Sequence, residues 1–410
     1  MRLLRADDEA AIARLAGRAR ARERTVEPAA RRIVRDVRRR GDGALRRWTA
    51  TLDGTGGPLE VTAGELRAGW DATPRPVRDA IRMAARHLER VAVRQRPRPF
   101  RVEVRPGVLV EQRVEPYGRV GCYVPGGRYP LPSTLLMTAV PARVAGVREV
   151  IAACVRPAPS VCAAALEAGV SRLFRAGGAQ AVAAMAYGTA SIPRVDKIVG
   201  PGNAWVAAAK RIVSDDCGVD LDAGPSEIVV WSATGRPDWI AADLIAQAEH
   251  DADARAIFVT TRAALATRVR AEIARQAPRV GPARRALSRN GAVVVARSRR
   301  EAISVIDRLL PEHLVVDRSE DAAVCRAGTV FVGPWSAQAA GDYCTGSNHV
   351  LPTAGAARLR GGLSAADFVR VFSVQTVTRG GLGAIGPAAA ALADAEGLTA
   401  HAASIRMRLA

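Results

Sequence analysis

The chain has 410 residues, 49% hydrophobic and 24% charged, the composition of a globular protein with two or more domains and true hydrophobic cores. A net charge of +20 raises nucleic-acid binding, but only two of the 60 basic residues, Lys197 and Lys210, are lysines. The arginines spread over helix faces with no zinc-finger spacing and no aromatic-interleaved stripe, so that reading rests on charge alone and is set aside. Diffuse positive charge does suit anionic cofactors.

Met1 to Asp8 is charged early and lacks an apolar run, and no stretch approaches the roughly 20 apolar residues that cross a bilayer. The expectation is a cytoplasmic enzyme, without secretion or membrane insertion. Residues 26–50 and 75–95 have the apolar spacing of amphipathic helices, through Ile33, Val34, Val37 and Leu45, then Val77, Ile81, Leu88 and Val91. His87 reads as a helix-surface residue. Strands are predicted at 100–104 and 108–114 around the turn Arg105-Pro106-Gly107.

From about 119, short apolar runs alternate with helices. Strand 119–124 ends in Pro125-Gly126-Gly127, and helix 133–146 leads to strand 149–155. Ser160 caps a helix that Gly169 stops. Strand 171–175, Gly177-Gly178, helix 179–187, strand 195–199, Gly200-Pro201-Gly202 and helix 203–214 follow. A second series holds a helix from Pro237 through Gln247 to His250, strand 255–260, helix 262–275, strand 291–296, helix 299–310 and strand 329–333. Such repeats predict an α/β fold: two Rossmann-like, incompletely doubly wound domains plus an extended helical C-terminal arm. An α/β domain at 120–225 is inserted into a discontinuous one made of 26–119 plus 226–362. A helical segment, 1–25, precedes them, and 363–410 forms an arm that packs on another subunit.

The six cysteines show no paired spacing, so neither a disulfide framework nor a thiolate zinc cluster is implied. Cys122 and Cys344 fall in motif regions, where packing is weighed against a catalytic thiol. Gly381-Leu382-Gly383-Ala384-Ile385-Gly386 matches a dinucleotide fingerprint, but no strand follows its helix, so a helix entry is the better reading. Gly126-Gly127, Gly177-Gly178 and Gly200-Pro201-Gly202 are stronger cofactor candidates, since all three belong at the carboxyl edge of one sheet.

Four of the five histidines have acidic or amide company. Gln247 and His250 are three apart on one helix face, a spacing that a plain polar surface also produces. Asp342 and His349 flank a glycine-bearing loop, compatible with two ligands or a turn. Glu312-His313 stands at a helix-to-strand junction, where both can reach a cleft as acid and base or simply close a helix. Gly397 stops the helix carrying Glu396, and Thr399 caps the one carrying His401.

The ordered runs Tyr123-Val124-Pro125-Gly126-Gly127, Gly177-Gly178-Ala179-Gln180, Gly200-Pro201-Gly202-Asn203 and Ala223-Gly224-Pro225-Ser226-Glu227 continue in Gln247 to Asp251 and Pro311 to Leu314. Gly341-Asp342-Tyr343, Asn348 to Thr353 and Glu396 to His401 complete them. Together they resemble the histidinol dehydrogenase family over nearly the whole chain, most densely from 118 to 401. The resemblance implies four-electron oxidation of L-histidinol through histidinal to L-histidine, the last steps of histidine biosynthesis, using two NAD and one water. It implies one zinc ion per site held by Gln247, His250, Asp342 and His401. Glu312 and His313 would do the proton chemistry: His313 takes the alcohol proton, and Glu312 activates water. Ser226, His349 and Glu396 would join His313 and the metal ligands around the substrate, and Tyr123, Gln180 and Asn203 would hold NAD. The family is a homodimer in which Glu396 and His401 complete the partner's site. Gln338 departs from the pattern, standing where members commonly carry a glutamate; this keeps open a relative acting on another amino alcohol or a polar diol.

Overall fold

Strand–turn–helix repeats call for parallel sheets, and the chain builds two. The computed structural model describes residues 1–17, 21–126, 129–220 and 224–410, so Gly127 and Ala223 of the motif runs lie outside the described residues. Two compact units are present: Met1–Gln95 with Gly118–Phe368, and Arg96–Tyr117 with Val369–Ala410.

In chain order the elements begin β1 (Arg2–Arg5), α1 (Glu9–Gly17), α2 (Ala21–Trp48), β2 (Glu60–Val61), α3 (Ala63–Ala72), α4 (Arg75–Gln95), β3 (Phe100–Arg105) and β4 (Val108–Pro116). Next come β5 (Arg119–Tyr123), α5 (Pro132–Ala145), β6 (Glu149–Ala153), α6 (Pro159–Ala168), β7 (Arg172–Phe174), α7 (Gly178–Tyr187), β8 (Lys197–Val199), α8 (Ala204–Val213) and β9 (Gly218–Val219). Then follow β10 (Glu227–Trp231), α9 (Pro237–Ala248), β11 (Arg255–Thr260), α10 (Ala263–Gln276), α11 (Pro282–Arg289), β12 (Ala292–Val295), α12 (Arg299–Leu309) and β13 (His313–Val316). The last are α13 (Ser319–Ala322), β14 (Thr329–Val332), α14 (Gln338–Gly341), β15 (Val369–Val377), α15 (Arg379–Ala395) and α16 (Thr399–Arg406).

The first unit holds both six-stranded sheets. One runs β2-β7-β6-β5-β8-β9, parallel except for β2; the other runs β1-β12-β11-β10-β13-β14, parallel throughout. Helices cover both faces of each, which is why β10 and β11 are buried along their full length and read as apolar runs beyond their charged first residues. α9, α10 and α11 pack on one face of the second sheet, and α1 and α12 on the other. The expected α/β class with parallel sheets is observed. In the first sheet the chain leaves β5 outward through β6 and β7, then returns to place β8 on the opposite side of β5. That switch opens a crevice at the carboxyl ends of β5 and β8, where open α/β sheets take their ligands.

Several details differ from expectation. Within the segment expected to be helical, Arg2–Arg5 is an edge strand hydrogen-bonded to β12; pairing with a distant strand outweighs local propensity there. The expectation grouped 26–119 with 226–362, whereas α2 inserts Ile33, Val34, Val37 and Leu45 into the core against α7 and α8, and α3 and α4 pack on α6 and α5. An apolar stripe does not encode which sheet it will cover. Proline takes the first turn of α6, so Ala158 rather than Ser160 stands at its cap. Leu398 occupies the cap of α16, with Thr399 its first residue.

The second unit, taken by itself, is a three-stranded antiparallel sheet, β15-β4-β3, with the helical pair α15 and α16 closing on Ala390, Ala393 and Ala402. The C-terminal arm is therefore not wholly helical, because Val369–Val377 pairs along the full length of β4. Gly381 to Gly386 lie within α15, whose cap is the Thr378 side chain accepting from the Gly381 N–H, as a helix entry requires.

α9 half-buries Asp243 one turn before Gln247, and burial pushes its carboxyl up to about 6 from an ordinary 3.8. Between those values the folded chain holds a proton that the unfolded chain has released, so stability falls as pH rises through this window. Asp243→Asn should raise the urea midpoint at pH 7 and change it far less at pH 4.

Candidate active site

Glu227 opens β10 and His313 opens β13, and these parallel strands pair with Ile228 opposite His313. The Glu227 peptide thereby reaches both members of the Glu312-His313 pair. Its N–H donates to Glu312 Oε2 at 2.8 Å, and its carbonyl lies 3.1 Å from His313 Nδ1. A carbonyl only accepts, so Nδ1 carries the proton and Nε2 keeps its lone pair. Burial pushes the His313 imidazole down to about 4, with Asp342 opposing, so the ring is neutral near pH 7. Burial pushes the Glu312 carboxyl well above the usual range, against the bond from Glu227 and one from the Ser226 hydroxyl. A neutral base and a reluctant acid stand side by side.

Two strained residues frame this pair. Leu310, just before Pro311, and Ala354 are the non-glycine residues with positive φ among those described, at 45° and 55°. Leu310 ends α12 and aims the chain into Pro311-Glu312; the Ala354 N–H donates to Glu227 Oε1 at 3.3 Å. The same oxygen accepts from Arg255 Nη1 at 2.9 Å, a buried ion pair whose guanidinium also donates to the Leu15 carbonyl.

Because α9 runs back from the carboxyl edge of its sheet, its last turn brings Gln247, and His250 just beyond, to the amino edge where β10 and β13 begin. Asp342 follows α14 and faces both histidines: His250 Nε2 is 3.9 Å from Oδ2, and His313 Nε2 is 3.8 Å from Oδ1. Buried Gln338 donates from Nε2 to Asp342 Oδ2 at 3.0 Å. His349 Nδ1 donates to the Asp342 carbonyl at 2.9 Å, leaving Nε2 to accept from the Thr134 hydroxyl at 3.2 Å. His87 is not a plain surface residue: its Nδ1 lies 2.7 Å from the Cys344 carbonyl, pinning the 341–349 loop to α4.

These groups line a cavity of about 1110 Å³ bounded by Ser226, Gln247, His250, Glu312, His313, Asp342 and His349 on one side and by Pro125 and Gly200 to Trp205 on the other. It joins the amino edge of the second sheet to the carboxyl edge of the first. Asn203 lines it, with Oδ1 capping α8 through the Trp205 and Val206 N–H groups. Tyr123 and Gln180 are buried and do not line it. The Tyr123 hydroxyl accepts from the Gly178 N–H at 3.0 Å, and Gln180 Nε2 donates to Asp53 Oδ2 at 2.9 Å. Glu396 and His401 belong to the second unit and are exposed. Cys122 is fully buried, with its thiol pushed up to about 12 by burial, which keeps it protonated and inert.

Among the described residues, no three His, Cys, Asp or Glu side chains gather as a metal cage. The fit is of another kind. Gln247 is completely buried, lines the cavity, and neither atom of its amide has a hydrogen-bond partner. An orphaned amide costs about 1–3 kcal/mol unless something binds it. With His250 and Asp342 it offers a mixed N/O donor set without thiolate, at the negative end of α9, and this suits a divalent cation with open positions. Sequence reasoning missed the role of the Glu227 peptide, which no side-chain pattern reveals, and missed Arg255, Thr134 and Asp53, which stand far from the motifs they serve.

A neutral imidazole beside a carboxyl that burial holds above its usual range, in one cavity of an α/β fold, has the make-up of a proton-transfer site. Residues 16–409 match the model of the family described as histidinol dehydrogenase. The histidinol dehydrogenase of Methylococcus capsulatus is 44% identical over 92% of this chain and 90% of its own. That of Bradyrhizobium diazoefficiens is 45% identical over 94% and 93%. The crystal structure of histidinol dehydrogenase from Elizabethkingia anophelis superposes with a TM-score of 0.93 at 32% identity, covering 100% of this chain and 98% of that one. The chain belongs to the histidinol dehydrogenase family and is an oxidoreductase.

Arg255→Met strands the buried Glu227 carboxylate and loosens the peptide that grips Glu312 and His313. A loss of about 3–5 kcal/mol is expected in urea unfolding, the scale for removing one partner of a buried pair.

Proposed function

We propose that this protein oxidises L-histidinol through histidinal to L-histidine, with two NAD and one water, as the final steps of histidine biosynthesis. One observation carries the reading: the Glu227 peptide fixes His313 with Nε2 unprotonated and Glu312 beside it, in the cavity lined by Gln247, His250 and Asp342. His313 Nε2 takes the hydroxyl proton as the carbinol carbon loses hydride, leaving the aldehyde. Glu312, once deprotonated, draws a proton from water as its oxygen adds to the aldehyde carbon. His313, having passed its first proton to solvent, accepts the hydroxyl proton of the hydrate anion as the second hydride leaves, giving the carboxylate. Asn203 and the glycine turns, with Tyr123 and Gln180, would hold NAD, which would supply the hydride acceptor. Gln247, His250 and Asp342, with His401 of a second copy, would hold one zinc ion that orients the substrate. Ser226, His349 and the second copy's Glu396 would hold the substrate, making the working form a homodimer. Residues 120–225, with α2 to α4 packed on them, would form the NAD-binding part, and 226–362 the catalytic part. Free cysteines, nearly all buried, suit a reducing cytoplasm.

The Gln338–Asp342 hydrogen bond supports a second reading, a family relative with another amino alcohol or polar diol as substrate, because an amide here carries no charge toward a substrate amine. A substrate panel separates the two. Zinc-loaded protein should form about two NADH and one histidine per L-histidinol consumed; arrest at the aldehyde, or no turnover, overturns the proposal.

His313→Asn should abolish oxidation of the alcohol, while Glu312→Gln should mainly slow oxidation of supplied histidinal. With its carboxyl held high, wild-type aldehyde oxidation should climb with pH as Glu312 loses its proton, and Glu312→Gln should flatten that limb. The acid limb of alcohol oxidation should lie nearer pH 4 than 6.5, since His313 stays neutral down to about 4. Equal losses in both steps from both variants would remove this division of labour.

A further inference from the structure

The chain's two lysines, among 60 basic residues, are both buried. Lys197, in β8, donates from Nζ to the Asp367 carbonyl at 2.7 Å. Lys210, in the last turn of α8, pairs with Asp220, both side chains buried. This pair holds both faces of Gly200: Lys210 Nζ donates to its carbonyl at 2.5 Å, and Asp220 Oδ2 accepts from its N–H at 2.6 Å. Gly200 needs holding. Its φ is +117°, and a Cβ there would stand 2.1 Å from the Tyr123 carbonyl oxygen. Arg360 extends the network, donating to the Asp220 carbonyl at 2.8 Å and pairing with Asp367.

We propose that Lys210 and Asp220 are positioning residues that hold the turn Gly200 to Asn203 in the shape that receives the dinucleotide. The idea rests on the proposed NAD site and adds what shapes it. Chemistry explains the lysine: a compact ammonium bridges a carbonyl and a carboxylate oxygen in a closed space, where a planar guanidinium needs more room. Burying a charge pair is costly and is often no better than an uncharged pair for stability. Holding Gly200 from both sides gives this one a use.

The test is NADH affinity, read by NADH fluorescence, beside zinc affinity by chelator competition and the melting temperature. Lys210→Met with Asp220→Asn removes both charges together, so no unpaired ion is left buried. Its NADH dissociation constant should rise at least tenfold while zinc affinity stays at the wild-type value and the melting temperature moves little. Lys210→Arg keeps the charge and should weaken NADH in the same direction. NADH affinity within twofold of wild type in either folded variant overturns the proposal. Hydrogen exchange on the wild-type protein gives a reading without mutation: the Gly200 amide should be protected without NAD, and exchange at the rate of an open loop overturns the clamp. Asn203→Asp keeps the α8 cap and adds a negative charge to the turn proposed to receive the dinucleotide. If it leaves NADH binding intact, the site lies elsewhere and the underlying reading fails; if it weakens binding while the lysine variants do not, only the clamp fails.

Discussion

The geometry of the candidate site depends on one peptide group. Glu227 contributes an N–H and a carbonyl, not its carboxylate, to Glu312 and His313. Backbone cannot rotate away as a side chain can, so the tautomer of the base and the direction of the acid follow from the pairing of β10 with β13. The Glu227 side chain, locked by Arg255 and the Ala354 N–H, keeps that peptide from shifting. Sheet register thus becomes proton bookkeeping.

The site also has an unusual address. The first sheet offers its carboxyl edge, the common place for ligands in open α/β folds, but the second offers its amino edge. Helices that return from the far side bring their C-terminal ends to the same place, so Gln247 and His250 arrive where backbone carbonyls point outward and a cation is favoured. One edge suits an anionic cofactor and the other a metal and base. Left-handed Leu310 and Ala354 are the local strain accepted to turn the chain into this cleft.

Much of this was legible in the sequence because it was local. Helix 75–95 and strand 255–260 follow from periodicity and composition, and the glycine turns mark strand ends. The flanked histidines pointed to proton or metal chemistry, and His250, His313 and His349 do meet in one cavity. Hidden were the properties that depend on partners: β1, whose short run becomes a strand only beside β12; the allegiance of α2; and His87, whose neighbour Cys344 lies 257 residues away. Tyr123 bonds the Gly178 N–H and Gln180 bonds Asp53, and both are buried without lining the cavity, a distinction of depth that residue type does not carry.

With both lysines sealed inside the first unit, the folded exterior holds its positive charge on guanidinium groups. Guanidinium keeps its proton at any pH a cell reaches and is no substrate for the acetylation that silences an ammonium. This protein's outward field is therefore nearly fixed from the moment it folds. Neither mild alkalinity nor lysine acylation can reset it, and what tuning remains falls to its histidines, its carboxylates and the salt around it.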